Sequence, residues 1–425
     1  MQLPSIFSPS KIKNIISIVV IFLFAVTACN DKEKQPGVIS TSIDEKIFEK
    51  TKIKQLVNKL LNVPIPERYH LVSEFIKVNP VTPIFDGNEV VSLYWFGKTK
   101  SVSVTGDIRY AWSAADRMNY VLCGDSTFFY KTYKLPSDTR IDYLLNIDTV
   151  LTIDPRNAVT TPSGFGIHSQ LSMPLFNPDK IRELNSDVPN GSLDALTLNS
   201  KIMPNNPRQI KVYKPAGYDS LTQLASLYVN DGYKALDYCQ FVNVLDNLIA
   251  EKKIKPIIVV FIKYEEDDSD YFLNITDDYE YFLTKELVPF IERQYKTSQK
   301  PGDRGISGIS AGGSISLLTA ITQSNYFTKA AGQSSTITEN LLNAVDNIKT
   351  HNKETENLKL YFDVGRYDLL SGAVDQLSFL YLNQMLNKKL NAANVNHHFK
   401  IYNDGHQWAN WRERTDDILI YLFGL

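Results

Sequence analysis

Arg304-Gly305-Ile306-Ser307-Gly308-Ile309-Ser310-Ala311-Gly312-Gly313 reads as a buried strand that turns sharply into a helix, with a serine at the turn. The pattern Gly308-x-Ser310-x-Gly312 supplies the small neighbours that a strained strand-to-helix turn needs if it is to lift a hydroxyl above a sheet edge. Asp303 to Ile306 precedes it as strand, and Ile315, Leu317, Leu318 and Ile321 follow at helical spacing to about Thr322. Ser310 is therefore the candidate nucleophile. The amide of Ala311, in the first turn of the helix, is a candidate donor to a developing oxyanion, because helix N-termini favour negative charge. The stretch lacks the Gly-Lys-Ser/Thr of a phosphate-binding loop and the G-x-G-x-x-G glycine spacing of a dinucleotide site.

A serine hydroxyl is a poor nucleophile until a base takes its proton. Of six histidines, His70, His168, His351, His397 and His398 lie in segments without turn chemistry and read as surface or packing residues. His406 follows Gly405 after the alternating strand His398 to Tyr402, where the chain order Ser, Asp, His places its base. The acid that orients the imidazole should lie on a loop after the strand between them. Leu358 to Phe362 reads as that strand and Val364-Gly365-Arg366-Tyr367-Asp368 as the loop, so Asp368 is preferred to Asp363 at the strand end and to Asp375 before the next helix. The gaps of 58 (368 − 310) and 38 (406 − 368) residues each hold about one α/β unit.

Around this core, Gln209 to Tyr213 and Ala225 to Val229 read as strands, Leu236 to Lys252 as a helix, Pro256 to Ile262 as an apolar strand and Asp277 to Tyr295 as a helix. Apolar strands alternating with amphipathic helices predict an α/β domain, a mostly parallel sheet covered on both faces, over 200–425. Upstream, Val91 to Trp95, Val102 to Val104, Phe128 to Tyr133 and Ile141 to Leu144 are short alternating segments separated by turn residues. They predict a β-sandwich which, with a helix read from Ile47 to Leu61, makes an N-terminal domain over 56–175 and leaves 176–199 as linker. The run Glu265-Glu266-Asp267-Asp268-Ser269-Asp270 lies beyond the Pro256 to Ile262 strand and reads as a solvated loop.

The N-terminus reads as an address. Lys11 and Lys13 precede an apolar run from Ile15 to Phe24 and the small-residue site Val26-Thr27-Ala28-Cys29. This tetrad resembles a bacterial lipobox, which implies a signal peptide over 1–28, cleavage before Cys29, a lipid on its thiol, and a cell-envelope protein anchored to a membrane. Residues 29–55 are a polar tether and the start of the first helix. Of the remaining cysteines, Cys123 and Cys239 read as buried free thiols, with no disulfide framework and no paired metal-ligand spacing. The composition, 43% apolar, 22% charged and net charge −2, gives no support to nucleic-acid binding.

From Pro83 to the C-terminus the chain resembles the enterochelin (siderophore) esterases and the related feruloyl and acetyl xylan esterases. The resemblance rests on Val104-Thr105-Gly106-Asp107, Leu135-Pro136-Ser137-Asp138-Thr139-Arg140-Ile141-Asp142-Tyr143, Asp154-Pro155-Arg156-Asn157, Leu227-Tyr228-Val229-Asn230-Asp231-Gly232, the Ser310 turn, Gly332-Gln333-Ser334-Ser335 and Gly405-His406-Gln407-Trp408-Ala409-Asn410-Trp411-Arg412. It implies an α/β-hydrolase domain behind an immunoglobulin-like β-sandwich, with Ser310 as nucleophile, His406 as base and Asp368 as its orienting acid. It also implies a second oxyanion amide from Gly232 or Tyr233 and a bracing role for Trp408 and Trp411 at the histidine loop, with Trp408, like Tyr264, a candidate for lining the substrate pocket. No cofactor is expected.

Two departures bear on substrate. Related esterases often carry Arg-x-x-Glu-Leu where this chain has Lys263-Tyr264 and the acidic run, and a glycine and an aromatic where it has Ser335 and Thr336. An acidic rim opposes a strongly anionic ferric tris-catecholate. The expected activity is serine ester hydrolysis, on siderophore trilactones or on feruloyl or acetyl esters of polysaccharides. Tyr233, Tyr264 and Trp408 suit a phenolic acyl group in either case. A non-catalytic binding lipoprotein for glycan or siderophore and an acyltransferase of the same fold are the alternatives.

Overall fold

The computed structural model describes residues 43–110, 115–164, 166–178, 180–203, 207–265, 268–348 and 356–425. The expected signal peptide, Cys29 and the tether to Ser42 lie outside the described residues, as do Glu266, Asp267 and His351.

The helical stretch expected from Ile47 to Leu61 is broken in two, Glu45–Phe48 and Lys52–Leu61, because Thr51 is extended and its hydroxyl accepts from the Lys54 amide as an N-cap. Ile53, Leu56, Val57 and Leu60, spaced to fall on one face, pack with Tyr94, Val121 and Phe128. A third helix, Ile65–Val78, has Pro64 as its N-cap.

Ten strands follow: β1 (Ile84–Asp86), β2 (Val90–Gly97), β3 (Val102–Gly106), β4 (Asp116–Arg117), β5 (Asn119–Cys123), β6 (Ser126–Lys134), β7 (Arg140–Ile147), β8 (Val150–Thr152), β9 (Thr160–Pro162) and β10 (Ile167–Ser172). They form two antiparallel sheets, ordered β1-β2-β6-β5 and β4-β3-β7-β10-β9, with β8 added to β7. The alternation read in the sequence sets what each face meets. Val91, Leu93 and Phe129 of the first sheet share a core with Val104, Ile141, Tyr143 and Leu145 of the second, whereas Tyr94 and Phe128 turn to the helices. Tyr367 from the C-terminal half of the chain also lies in the core between the sheets.

The second half is built on an eight-stranded sheet. Its strands are β11 (Ser192–Leu198), β12 (Arg208–Lys214), β13 (Ala225–Val229), β14 (Ile257–Ile262), β15 (Arg304–Ile309), β16 (Lys329–Gln333), β17 (Lys359–Tyr367) and β18 (His397–Gly405), in the order β11-β12-β14-β13-β15-β16-β17-β18. From β14 to β18 every pairing is parallel, and β11 and β12 close one edge antiparallel. Strand β11 falls inside the stretch expected to be linker. The apolar run of β14 is explained by cover on both faces: Ile258, Val260 and Ile262 enter one helical layer, and Ile257, Val259 and Phe261 the other.

Three boundaries differ from expectation. The helix expected from Leu236 to Lys252 is two, Gly232–Cys239 and Phe241–Ala250, parted by Gln240 at φ 52°. The helix expected from Asp277 to Tyr295 runs as Thr276–Tyr281, a π-helical turn Phe282–Leu287 and Val288–Glu292. The wide turn falls just before Pro289, which has no N–H for a regular bond to the preceding turn. Residues Val364 to Tyr367, expected as loop, continue β17, because pairing with β18 extends through Gly365 opposite Tyr402 and, past an irregularity, to Tyr367 opposite Gly405.

Candidate active site

The C-terminal ends of β13, β15, β16, β17 and β18 converge on one edge of the large sheet, the edge where parallel α/β sheets place their ligands. Three non-glycine residues there have left-handed backbones: Asp231 after β13 (φ 56°), Ser310 after β15 (φ 54°, ψ −118°) and Ser334 after β16 (φ 46°). Such conformations cost energy and persist where the surroundings over-determine them. At Ser310 the surroundings are glycines. A Cβ on Gly308 would meet the Gly312 carbonyl oxygen at 2.3 Å, and one on Gly313 would meet Ser335 Oγ at 2.6 Å. The Ser310 amide donates to Gln333 O at 2.9 Å and its carbonyl accepts from Thr336 N at 3.0 Å, pinning the turn to the next strand.

His406 Nε2 lies 3.1 Å from Ser310 Oγ, and His406 Nδ1 lies 2.6 Å from Asp368 Oδ1. An ionised carboxylate only accepts, so Nδ1 carries the hydrogen and Nε2 presents its lone pair to the serine. Asp368 is buried, whereas Ser310 and His406 are partly open. Burial works against the charged form of Asp368, but the imidazole beside it, the Ser334 hydroxyl and the Leu369 amide, 2.8 Å from Oδ1, hold its carboxyl below the usual carboxylate range. The three residues read from the sequence stand together in the order and contacts expected of them.

The expected oxyanion donors sit at two helix starts. Ala311 opens the helix Ala311–Thr322, and Gly232 and Tyr233 open Gly232–Cys239, so their amides belong to first turns without intrahelical acceptors. The two starts abut, since a Cβ on Gly312 would meet Asp231 Oδ2 at 2.9 Å. Gly232 itself is pressed on β14, where a Cβ would meet Phe261 Cα at 2.5 Å. Burial raises the Asp231 pKa to about 7, aided by Asp268 and opposed by Lys234.

Tyr264 is half-buried, its ring beside Phe272 and its hydroxyl bonded to Ser269, with Lys234 Nζ 5.4 Å from the ring centroid. Trp408 is buried, with its ring against those of Tyr238 and Trp411 and beside Gly164. Trp411 stacks edge-on against His406 with centroids 4.8 Å apart and donates from Nε1 to Ser334 Oγ at 2.9 Å. The acidic run is not uniformly a solvated loop: Asp268 is buried and paired with Arg208 of β12, where Tyr271 and Phe282 face the guanidinium.

Sequence reading missed the residues packed around Asp368 and His406. Ser334 links Trp411 to Asp368. Arg414 is buried with Asp363 of β17 (2.6 Å) and Asp404 of β18 (3.0 Å), five and two residues before Asp368 and His406. Burial raises both carboxyls, Asp363 to about 6 and Asp404 to about 7, with Arg414 pulling each back. The cluster Arg412-x-Arg414 next to the histidine motif was the available signal, but a local pattern does not reveal burial.

The model of the family described as "Putative esterase" matches residues 200–422. The chain belongs to this esterase family. Ester hydrolysis is the class of reaction that membership supports. The chain is 24% identical over 230 residues to the uncharacterized protein YjcH of Bacillus subtilis, covering 52% of this chain and 94% of YjcH. It is 27% identical over 155 residues to an endo-1,4-beta-xylanase/feruloyl esterase of Xylanibacter ruminicola, covering 33% of this chain and 21% of that protein. The ferric enterobactin esterase of Salmonella typhimurium superposes with a TM-score of 0.67 at 14% identity, over 82% of this chain and 98% of its own. The enterobactin esterase of Shigella flexneri gives a TM-score of 0.62 at 17% identity, over 80% and 95%. At such identities the likeness is one of fold, and it extends well beyond the segment matched by the family model.

Proposed function

We propose that this esterase is a serine enzyme working through an acyl-enzyme, and the observation that carries the reading is the unbroken contact from Asp368 through His406 to Ser310. Ser310 Oγ attacks the ester carbonyl as His406 Nε2 takes its proton. The tetrahedral oxyanion is held by the amide of Ala311 and by that of Gly232 or Tyr233. Collapse expels the alcohol, which receives its proton from His406, and water activated by the same base then releases the acid and restores the serine.

For substrate we infer either a catecholate trilactone or a feruloyl or acetyl ester of a polysaccharide, with an aromatic group on the ester favoured over acetyl. The half-buried Tyr233 and Tyr264 beside the site support an aromatic acyl group, and the inward pairing of Asp268 with Arg208 weakens the objection from an acidic rim. The Lys11 to Cys29 pattern supports a lipid-anchored envelope protein, and the first ten strands suit an immunoglobulin-like sandwich. The test is mass spectrometry of products from the detergent-solubilised chain with feruloylated or acetylated oligosaccharide and with a catechol trilactone. Release of free acid or stepwise ring opening, lost about 10⁴-fold or more in Ser310→Ala, is the expected result. Turnover retained by Ser310→Ala would remove the serine mechanism, and ester transfer to an added sugar without free acid would favour an acyltransferase.

A further inference from the structure

The two loops that carry the acid and the base are not seated by the large sheet alone. Tyr367, immediately before Asp368, is fully buried in the core between the two N-terminal sheets, with its ring 6.4 Å from that of Tyr110, and Leu370 packs on the same core. Gly405, immediately before His406, lies directly on Asp107, the residue after β3. A Cβ at Gly405 would come 2.4 Å from Asp107 Cγ and 2.6 Å from its Cβ, so only glycine allows this approach.

Asn410 joins these parts through both of its amide hydrogens and its carbonyl oxygen. Its Nδ2 donates to Gly405 O at 2.8 Å and to Asp107 Oδ2 at 3.2 Å, and its Oδ1 accepts from Arg140 Nη1 at 2.6 Å. Arg140 in turn pairs with Asp142 at 2.7 Å and donates to Gln170 at 2.9 Å, and Asp107 accepts from the Asp142 amide at 2.9 Å. A second bridge runs beside it: Asn403 Nδ2 donates to Asp138 at 2.6 Å while Asn403 Oδ1 accepts from Arg366 at 2.6 Å. Asp107, Arg140 and Asn410 are all buried, so the bridge cannot be exchanged for water without opening the contact.

We propose that the N-terminal two-sheet unit is a working part of the acyl-transfer site, and that Asp107, Arg140 and Asn410 are positioning residues that set His406 against Ser310. The proposal rests on the serine mechanism above. The unit touches neither reacting atom; it fixes the residues next to both members of the acid–base pair, whose 2.6 and 3.1 Å contacts tolerate little displacement. A misplacement of about 1 Å in such a site costs about 10²-fold in rate.

The test compares the full chain with Asn410→Ala, Asp107→Ala and Asp107→Asn, all normalised to folded protein by circular dichroism. Steady-state hydrolysis of an aryl ester is measured together with the rate at which a fluorophosphonate labels Ser310. Asn410→Ala and Asp107→Ala should lower kcat and the labelling rate together, by about 10–100-fold, with KM changed less than about threefold. Asp107→Asn keeps an acceptor for Asn410 and the Asp142 amide, and should hold both rates within about threefold of the parent. If either alanine variant fails to fold, Asn410→Ser, which keeps a smaller polar group at the same place, takes its role with the same expected direction. Alanine variants that retain both rates, or an Asp107→Asn that loses as much as Asp107→Ala, overturn the proposal. Ser310→Ala separates the two levels: if it is inactive while Asn410→Ala is not, the bridge fails and the mechanism stands, and if it stays active the mechanism itself is gone.

Discussion

Ser310 and the Asp368–His406 pair are held in opposite ways. Ser310 is placed by its immediate neighbours: glycines at 308, 312 and 313 leave no room for side chains, and two backbone bonds to β16 and Thr336 pin a strained turn. Asp368 and His406 are placed by buried polar and aromatic partners: Arg414 beneath both strands, Trp411 and Ser334, and residues some 300 positions earlier in the chain. One half of the site is thus fixed by local sterics, the other by a buried polar network. A turn that must be strained is best enforced by backbone contacts that cannot relax, whereas two loops that must meet need partners reaching across the fold.

Removing one member from each half should have the largest effect on turnover. Ser310→Ala and His406→Ala should each lower kcat by about 10⁴-fold or more, and the double variant should be no worse than the poorer single one, because the groups act as a unit. Additive losses in single-turnover assays would mean that the two halves work independently and that the contact at 3.1 Å is incidental.

The same contrast decides how the halves fail when their supports are cut. Arg414→Met leaves Asp363 and Asp404 buried without their cation and should cost about 3–5 kcal/mol of stability in urea denaturation. Gly308→Ala forces a Cβ toward a carbonyl oxygen 2.3 Å away, and should lower kcat by about 10²-fold through displacement of the turn. Equal stability losses in the two variants would erase the distinction between network and steric support.

This division also explains what the sequence could reveal. The elbow is written in five consecutive residues and His406 in a glycine–histidine step after a strand, so both could be read without a structure. Asp368 is legible from its place between them, although β17 runs to Tyr367 rather than ending at Phe362, since its pairing with β18 depends on a strand over thirty residues away. Asp268 lies in an acidic run that reads as solvated, yet it turns inward to Arg208, sixty positions earlier. Asp107, Arg140 and Asn410 stood inside the motifs that carried the family resemblance, but nothing local marks them as partners. What is legible is chemistry confined to a turn, and what is not is burial created by chain segments that meet only in the fold.

Asp231 lies on the steric side and has no counterpart of Arg414. Among the described residues no cation stands within ion-pair distance of its carboxyl, and burial raises its pKa to about 7. In the unfolded chain the group titrates near 3.8. Below that value it is protonated in both states and contributes nothing to the pH dependence. Between there and about 7 the folded chain keeps the proton that the unfolded chain has lost, so stability falls as pH rises, and above 7 the full penalty is present. Asp231→Asn should therefore raise Tm at pH 8, by about 2–4 °C given that the carboxyl is partly open to water, and the gain should vanish by about pH 4. A gain that is the same at both pH values would show that the amide stabilises by packing, and that the steric half of the site carries no electrostatic strain of its own.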